Sequence, residues 1–351
     1  ITFAKSVKMT IAQRIEIFAQ LGKRILNELS INSIFSQTVN NAYKHNPWFT
    51  PQNCRYAIES IANEWLTEKN LSNWVSSYPN ELFSLKLTKT IAVVMAGNVP
   101  FVGFHDLLCT LMVGHRFMGK VSSKDGGLMQ GVIDMLIEIE PKLKNYITLT
   151  NDRIANFDAV IATGSNNSAR YFEHYFGKFP NIIRKNRHSI AVLSGNESNK
   201  ELQALASDVF MHFGLGCRNV SKLLVPTGYN FEKLIDTFKA HSNVINHNKY
   251  ANNYEYYRAI YLMNRIEHLD TGFMLLKPDE NLGSPVGVLF FQNYYSIESV
   301  NSYISANADK LQCIVSSANG ITNSIGFGKA QNPDINDYSD GIDTIKFLAE
   351  V

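Results

Sequence analysis

Three apolar runs that each break off at a glycine constrain this chain more than any other feature: Thr90-Ile91-Ala92-Val93-Val94-Met95-Ala96-Gly97, Phe157-Asp158-Ala159-Val160-Ile161-Ala162-Thr163-Gly164, and Ser189 to Gly195. None alternates apolar with polar residues, so each reads as a strand covered on both faces. A further strand is predicted at Phe117 to Ser122, and helical patterns follow at Phe101 to Val113, about Gly127 to Ile139, and Ala169 to Phe176. Strand, loop and helix in repetition predict a parallel sheet with helices on both sides. Ligands of such sheets sit beyond the carboxyl ends of the strands, near a switch in strand order. The pattern resumes after residue 217, with strands at Lys222 to Pro226, Val286 to Gln292 and Leu311 to Ser316, and helices at about Asn230 to Ala240 and Ser296 to Ala308. Between them, Asn243 to Arg258 is rich in Asn and Tyr and is expected to be a surface excursion.

The N-terminal part has a different texture. Thr10-Ile11-Ala12-Gln13 fits a capping box, and Ile11, Ile15, Phe18, Leu21, Ile25 and Leu29 recur at helical spacing. Further helices are predicted over residues 31–85, punctuated by Pro47, Pro51 and Pro79, with Trp48, Trp65 and Trp74 as core or interface anchors. The expected fold class is therefore α/β, with two parallel-sheet domains and a helical N-terminal region. The boundaries expected are a helical region 1–86 packed on a nucleotide domain 87–195, a second α/β domain 196–328, and a C-terminal segment 329–351. A chain of 351 residues is long enough for two such cores.

Composition excludes several classes of function. A formal net charge of +2 gives no reason to expect a nucleic-acid or membrane partner. The one short basic cluster is Arg184-Lys185-Asn186-Arg187. Cys54, Cys109, Cys217 and Cys313 are far apart, without CxxC or metal-ligand spacing. With no signal peptide evident, that pattern predicts free thiols in a reducing cytoplasm. No uncharged run approaches the ~20 residues that would span a bilayer. The chain begins at Ile1 rather than Met, which leaves room for residues ahead of it. His105, His188, His212 and His268 show no HxH or HExxH spacing, so no metal site is expected.

Four segments could carry chemistry. In His212-Phe213-Gly214-Leu215-Gly216-Cys217-Arg218-Asn219-Val220-Ser221, glycines on either side let the thiol be presented at a turn, and Arg218 with a backbone N–H would favour the reactive thiolate. The usual fate of a free cysteine is nonetheless that of a small core hydrophobe. In Ala96-Gly97-Asn98-Val99-Pro100-Phe101, the Asn98 carboxamide is a donor able to stabilise an oxyanion, or an ordinary turn residue. Gly119-Lys120-Val121-Ser122-Ser123-Lys124-Asp125-Gly126 offers a cation and hydroxyls to ribose and phosphate oxygens, or is a solvated loop. Ala162-Thr163-Gly164-Ser165 lies where a helix start could receive a pyrophosphate. GxGxxG is absent, which counts against a standard Rossmann dehydrogenase.

In chain order, asparagine turn, lysine loop, TGS turn and cysteine turn, the four segments resemble the aldehyde dehydrogenase superfamily, and within it the LuxC-type acyl-CoA reductases. The resemblance covers roughly residues 87–328 and is plainest in Gly97-Asn98-Val99-Pro100 and Gly216-Cys217-Arg218-Asn219-Val220-Ser221. It implies an aldehyde-dehydrogenase-like fold in which Cys217 accepts the acyl group, and Asn98 with the Cys217 N–H forms the oxyanion hole. It also implies that Lys120 holds the adenosine ribose, and Gly164 and Ser165 the pyrophosphate. Ser123 and Lys124 stand where relatives that use NAD usually carry an acid, so NADPH is expected ahead of NADH. The expected partner is an acyl-CoA or acyl-carrier thioester, with a homo-oligomer left open.

Two departures from the superfamily pattern bear on the reaction. The segment matching the general-base glutamate is Ile183-Arg184-Lys185-Asn186-Arg187, which has no carboxylate. Hydrolytic release of an acyl group needs such a base, whereas delivery from a thioester and departure as aldehyde does not. The segment matching E-x-F-G-P is Asn281-Leu282-Gly283-Ser284-Pro285, which moves the ribose-binding role to Glu280, one position earlier. The competing readings are an aldehyde dehydrogenase running toward the acid, and a non-catalytic relative that binds acyl carriers or nucleotides. The segments Gly326 to Gln331 and Asp337 to Gly341 also look like parts of the reductase family, with no role assigned by their chemistry.

Overall fold

A computed structural model describes residues 9–84 and 87–351. The chain divides into two compact units, one running to Lys185 and including Asp334–Val351, the other Asn186–Pro333.

The first unit opens with four helices, α1 (Ile11–Ser30), α2 (Ile34–Asn41), α3 (Pro51–Ser60) and α4 (Glu68–Ser76). Thr10 closes the predicted capping box on α1, its hydroxyl accepting from Gln13 N while Gln13 Oε1 accepts from Thr10 N. Then follow β1 (Thr90–Val94), α5 (Phe104–Val113), β2 (Arg116–Lys120), α6 (Leu128–Ile139), β3 (Ile147–Thr150), β4 (Ala159–Thr163), α7 (Asn166–Phe176) and β5 (Asn181–Arg184). The five strands are parallel in the order β3-β2-β1-β4-β5. Ile91, Val93, Ala159 and Ile161 face one large core shared with α1, α5 and α6, while Ala92, Val160 and Ala162 face Phe157, Phe172 and Phe176 on the other side. Both faces are covered, which is why these strands lack polar alternation. The helical region is continuous with this core: Phe18, Leu21, Ile25 and Trp74 belong to it.

The second unit contains β6 (His188–Val192), α8 (Asn199–Phe210), β7 (Val220–Pro226), α9 (Glu232–Phe238), α10 (Asn248–Met263), β8 (Leu269–Asp270), β9 (Leu275–Pro278), β10 (Val288–Tyr294), α11 (Ile297–Ala306), β11 (Leu311–Val315) and β12 (Ser324–Ile325). Its sheet order is β12-β11-β6-β7-β10-β9-β8, parallel except for β8 against β9. Leu202, Leu205 and Phe210 of α8 and Leu234 and Phe238 of α9 cover one face; Val300 and Ile304 of α11 cover the other.

The structure redraws several sequence expectations. The run expected to end the nucleotide domain at 195 is β6, which pairs with β7 and β11 of the second unit. A continuous apolar strand carries no local mark of its partners, so its sheet could not be read from its residues. The supposed excursion Asn243–Arg258 is largely helical: Tyr250, Tyr254 and Tyr261 of α10 are buried, and the Tyr250 hydroxyl donates to Phe273 O at 3.0 Å. Residues 334–351 return to the first unit, where α12 (Thr344–Glu350) packs on α5.

One buried ion pair joins the two edges of that packing. Arg184, at the end of β5, makes bidentate bonds to Asp106 of α5 at 2.7 and 2.9 Å, and a third to Thr344 Oγ1 at 3.3 Å. Both charged side chains are at most 6% exposed. Breaking such a pair strands the remaining charge, whereas replacing both partners with apolar residues is often close to neutral. Asp106→Ala is expected to lower unfolding stability by about 3–5 kcal/mol, and Asp106→Leu with Arg184→Met by far less, as read from urea denaturation midpoints.

Candidate active site

In the first unit the chain runs β1, β2, β3 toward one edge and then returns to lay β4 on the opposite side of β1. The reversal of strand order therefore lies between β1 and β4, where open α/β sheets bind ligands. Three predicted segments occupy the carboxyl ends around it. Gly97 and Asn98 follow β1, Lys120 is the last residue of β2, and Gly164 and Ser165 follow β4. Gly97 lies so close to the next loop that a Cβ there would come 2.3 Å from Ser122 Oγ. The same turn is held from the helical region, where buried Asn46 donates from Nδ2 to Gly97 O at 3.1 Å. That asparagine was not singled out in the sequence, because its partner is 51 residues away. Asn98 is exposed.

The lysine loop is built rather than loose. Lys124 N donates to Ser122 Oγ at 3.2 Å, and Asp125 accepts from Met129 N at 3.1 Å to cap α6. Lys120 is half-buried, while Ser123 and Lys124 are exposed. At the third turn, a Cβ on Gly164 would lie 2.8 Å from Ser168 Cβ and 2.9 Å from Phe172, so only glycine lets β4 enter α7 this closely. Ser165 is the N-cap of α7, accepting from Ser168 N at 3.2 Å, with its hydroxyl at the exposed helix start.

The cysteine turn lies in the second unit, at the amino end of β7. The chain leaves α8 through three residues in the left-handed region, His212 (φ 50°), Phe213 (φ 58°) and Gly214 (φ 76°). Gly214 thus uses its freedom as expected. Gly216 does not have a positive φ; its N–H instead donates to Asn219 Oδ1 at 2.8 Å. Asn219, 2% exposed, donates from Nδ2 to Asp208 O, Val209 O and Met211 O at 3.1, 3.3 and 2.7 Å. One carboxamide so ties the end of α8 to the turn carrying Cys217. Buried Ser189 of β6 donates to Cys217 O at 2.9 Å.

The segment Gly326 to Gln331, without a role in the sequence, braces the same turn. Arg218 Nε donates to Ala330 O at 2.5 Å. Fully buried Asp208 accepts from Gly328 N at 2.6 Å and Ala330 N at 3.0 Å. Burial pushes the Asp208 carboxyl up to about 6 against these bonds and Arg218. His212 is buried too, and desolvation lowers its imidazole to about 4, so it is neutral near pH 7.

Cys217 is the exposed cysteine of the four. Burial raises Cys54 to about 12, Cys109 well above its ordinary value, and Cys313 to about 11. Those three stay protonated at neutral pH, and the thiolate is the nucleophile. Residues 183–187 offer no base: Arg184 is committed to Asp106, and Arg187 Nη1 donates to Leu311 O at 3.0 Å. The basic cluster is thereby dispersed into separate contacts. Glu197 is buried but accepts from Ser194 N, Ser194 Oγ and Gly195 N, beyond the carboxyl end of β6 and away from the amino end of β7.

Glu280 is exposed on the crossover 279–287, which returns from β9 to β10 over the sheet. Its carbonyl accepts from Lys222 Nζ of β7 at 2.8 Å, and Leu282 O accepts from Ser221 Oγ at 2.8 Å. Among the described residues no cluster of side chains could hold a metal ion, and no helix is long and apolar enough to cross a membrane.

Comparisons with known proteins bear on the family and the fold. The family model for acyl-CoA reductase (LuxC) matches residues 23–232. It thus reaches back into the helical region, where the sequence showed no chemistry. A search of curated protein sequences gave no match. Aldehyde dehydrogenase 21 from Physcomitrella patens, in complex with the reaction product succinate, superposes with a TM-score of 0.70 at 12% identity, covering 97% of this chain and 84% of that one. An acetylating aldehyde dehydrogenase from Geobacillus thermoglucosidasius superposes with a TM-score of 0.63 at 11% identity, covering 92% and 83%. An NADP-dependent enzyme from E. coli gives 0.64 at 11% identity, covering 92% and 76%. The fold is that of the aldehyde dehydrogenases, and with a family model spanning more than half its length this chain belongs to the LuxC acyl-CoA reductase family, an oxidoreductase of the aldehyde dehydrogenase type.

Proposed function

We propose that this chain reduces a fatty acyl thioester to an aldehyde with NADPH, through an acyl group carried on Cys217. The observation that carries the reading is the exposure of Cys217 on a braced turn while burial keeps the other three thiols protonated. The Cys217 thiolate attacks the thioester carbonyl, a new C–S bond forms, and the bond to coenzyme A breaks with its electron pair leaving on sulfur, as the coenzyme A thiolate. The Asn98 carboxamide and the Cys217 N–H are the donors for the oxyanion in that step.

Lys120, Gly164, Ser165 and Glu280 suit a dinucleotide: a cation, a tight glycine turn into an exposed helix start, and an exposed carboxylate. When bound, NADPH supplies the hydride that converts the acyl carbon to the aldehyde level. Cys217 then holds a thiohemiacetal, whose collapse releases the aldehyde and returns the thiolate. The absence of a carboxylate at 183–187 favours this outcome over hydrolysis, since no base there activates water. Exposed Ser123 and Lys124 support a 2′-phosphate, for which a lysine is a suitable point charge.

Intact-mass measurement with acyl-CoA and no reductant is expected to show one acyl adduct on the wild type and none on Cys217→Ala. An unchanged adduct on that variant would reject the assignment. Asn98→Ala is expected to lower kcat by about two orders of magnitude, the usual loss for one oxyanion donor. NADPH should exceed NADH in kcat/KM, and Lys124→Glu should narrow or reverse that ratio; equal use of both by the wild type would reject the preference.

A further inference from the structure

Lys222 is the only buried lysine among the described residues, and no part of it is exposed. It sits within β7, five residues after Cys217. An apolar residue of similar size would typically serve such a position at least as well for stability, so the cation needs another reason. Its ammonium has three acceptors: Glu280 O at 2.8 Å, Gln292 Oε1 at 2.6 Å and Tyr303 Oη at 3.0 Å. Its neighbour Ser221 holds Leu282 O. Gly283 lies against His188, where a Cβ would come 2.2 Å from the ring. Residues 280–283 are thus fastened to β6 and β7 at three successive points, while the Glu280 side chain itself stays exposed.

We propose that Lys222 is a positioning residue for the dinucleotide: by holding the Glu280 carbonyl it aims the Glu280 carboxylate at the nicotinamide ribose and ties that turn to β7, the strand that follows the Cys217 turn. This rests on the reading of Glu280 as a ribose ligand. The interaction is open to titration. Burial lowers the Lys222 ammonium to about 8, with Asp279 and Glu280 acting in the opposite sense. Tyr303 of α11, His188 of β6 and Lys277 of β9, whose ammonium pairs with the Asp279 carboxylate, are the other titratable groups at this turn. A neutral amine has two N–H groups and no charge, so the bonds to Glu280 O and Gln292 Oε1 weaken as pH rises through that value, and the Tyr303 contact persists only with the phenol donating.

The test is an NADPH fluorescence titration of the full chain, paired with Cys217 acylation by acyl-CoA in the absence of dinucleotide. Lys222→Met is expected to raise the NADPH Kd roughly 10- to 100-fold, the range for one charge-assisted hydrogen bond. Glu280→Gln should raise it comparably, and the double variant no further than the worse single. Acylation by Lys222→Met should stay within about twofold of wild type, since dinucleotide contacts alone are disturbed. The wild-type Kd should hold steady from about pH 6 to 7.5 and rise above about 8, a rise that Lys222→Met lacks.

An unchanged Kd in Glu280→Gln would defeat the ribose reading. A raised Kd there with an unchanged Kd in Lys222→Met would leave that reading standing and overturn the positioning role. Loss of acylation together with NADPH binding in Lys222→Met would also overturn it, marking Lys222 as structural. Should that variant fail to fold, the wild-type titration decides, and a Kd that stays flat through pH 8 overturns the proposal.

Discussion

The carboxamide of Asn219 binds four backbone groups at once, three carbonyls at the end of α8 and the N–H of Gly216. A helix ends with carbonyls that have no intrahelical partner, and here the chain turns away through three left-handed residues, two of them not glycine. Such residues cost on the order of 1–3 kcal/mol each and persist only where their surroundings over-determine them. Asn219 supplies that determination from one side and the Asp208–Gly328–Ala330 contacts from the other. An exposed thiol on a rigid turn follows from these bonds. Without them the same sequence would be a flexible glycine loop.

The first unit meets the same problem of holding loops still by different means. Its turns are fixed by close backbone approach, at Gly97 against Ser122 and at Gly164 against α7. Its frame is fixed by the Asp106–Arg184 pair, which binds α5 to the last strand and to Thr344 near the C-terminus. Arg184 lies in the stretch 183–187 that by sequence matches the superfamily's general-base segment. Its side chain is committed to the buried pair with Asp106 and serves packing.

Two buried charges hold loops of the second unit, one from a helix and one from a strand. Asp208 collects two backbone N–H groups, and Lys222 gives its protons to a backbone carbonyl, a side-chain amide and a phenol. Each is a desolvated group whose cost is offset only by complete hydrogen bonding. Both lie within ten residues of Cys217 on either side in the sequence, so the motif around the cysteine extends in space to residues 280–283 and 328–330.

Alternating strands and helices, the glycine at each strand end and the capping box at Thr10 were legible because they depend on neighbours in the chain. The loops bearing Asn98, Lys120 and Ser165 could be placed at carboxyl ends for the same reason. Short edge strands such as β3 and β5 were missed, as was α10, whose tyrosines bury their rings among asparagines that mask the apolar face. Asn46, Asp208, Asn219 and Lys222 were not legible as partners of the site, since each acts on backbone atoms distant in sequence or folded against it. The sequence by itself determined the candidates for the chemistry: a thiol, a carboxamide, a lysine loop and a glycine turn. Only the tertiary structure decided which of the four thiols is exposed, which sheet β6 joins, and what holds the cysteine turn. Those outcomes depend on burial and on hydrogen bonds to backbone groups, which carry no residue identity for a sequence to display.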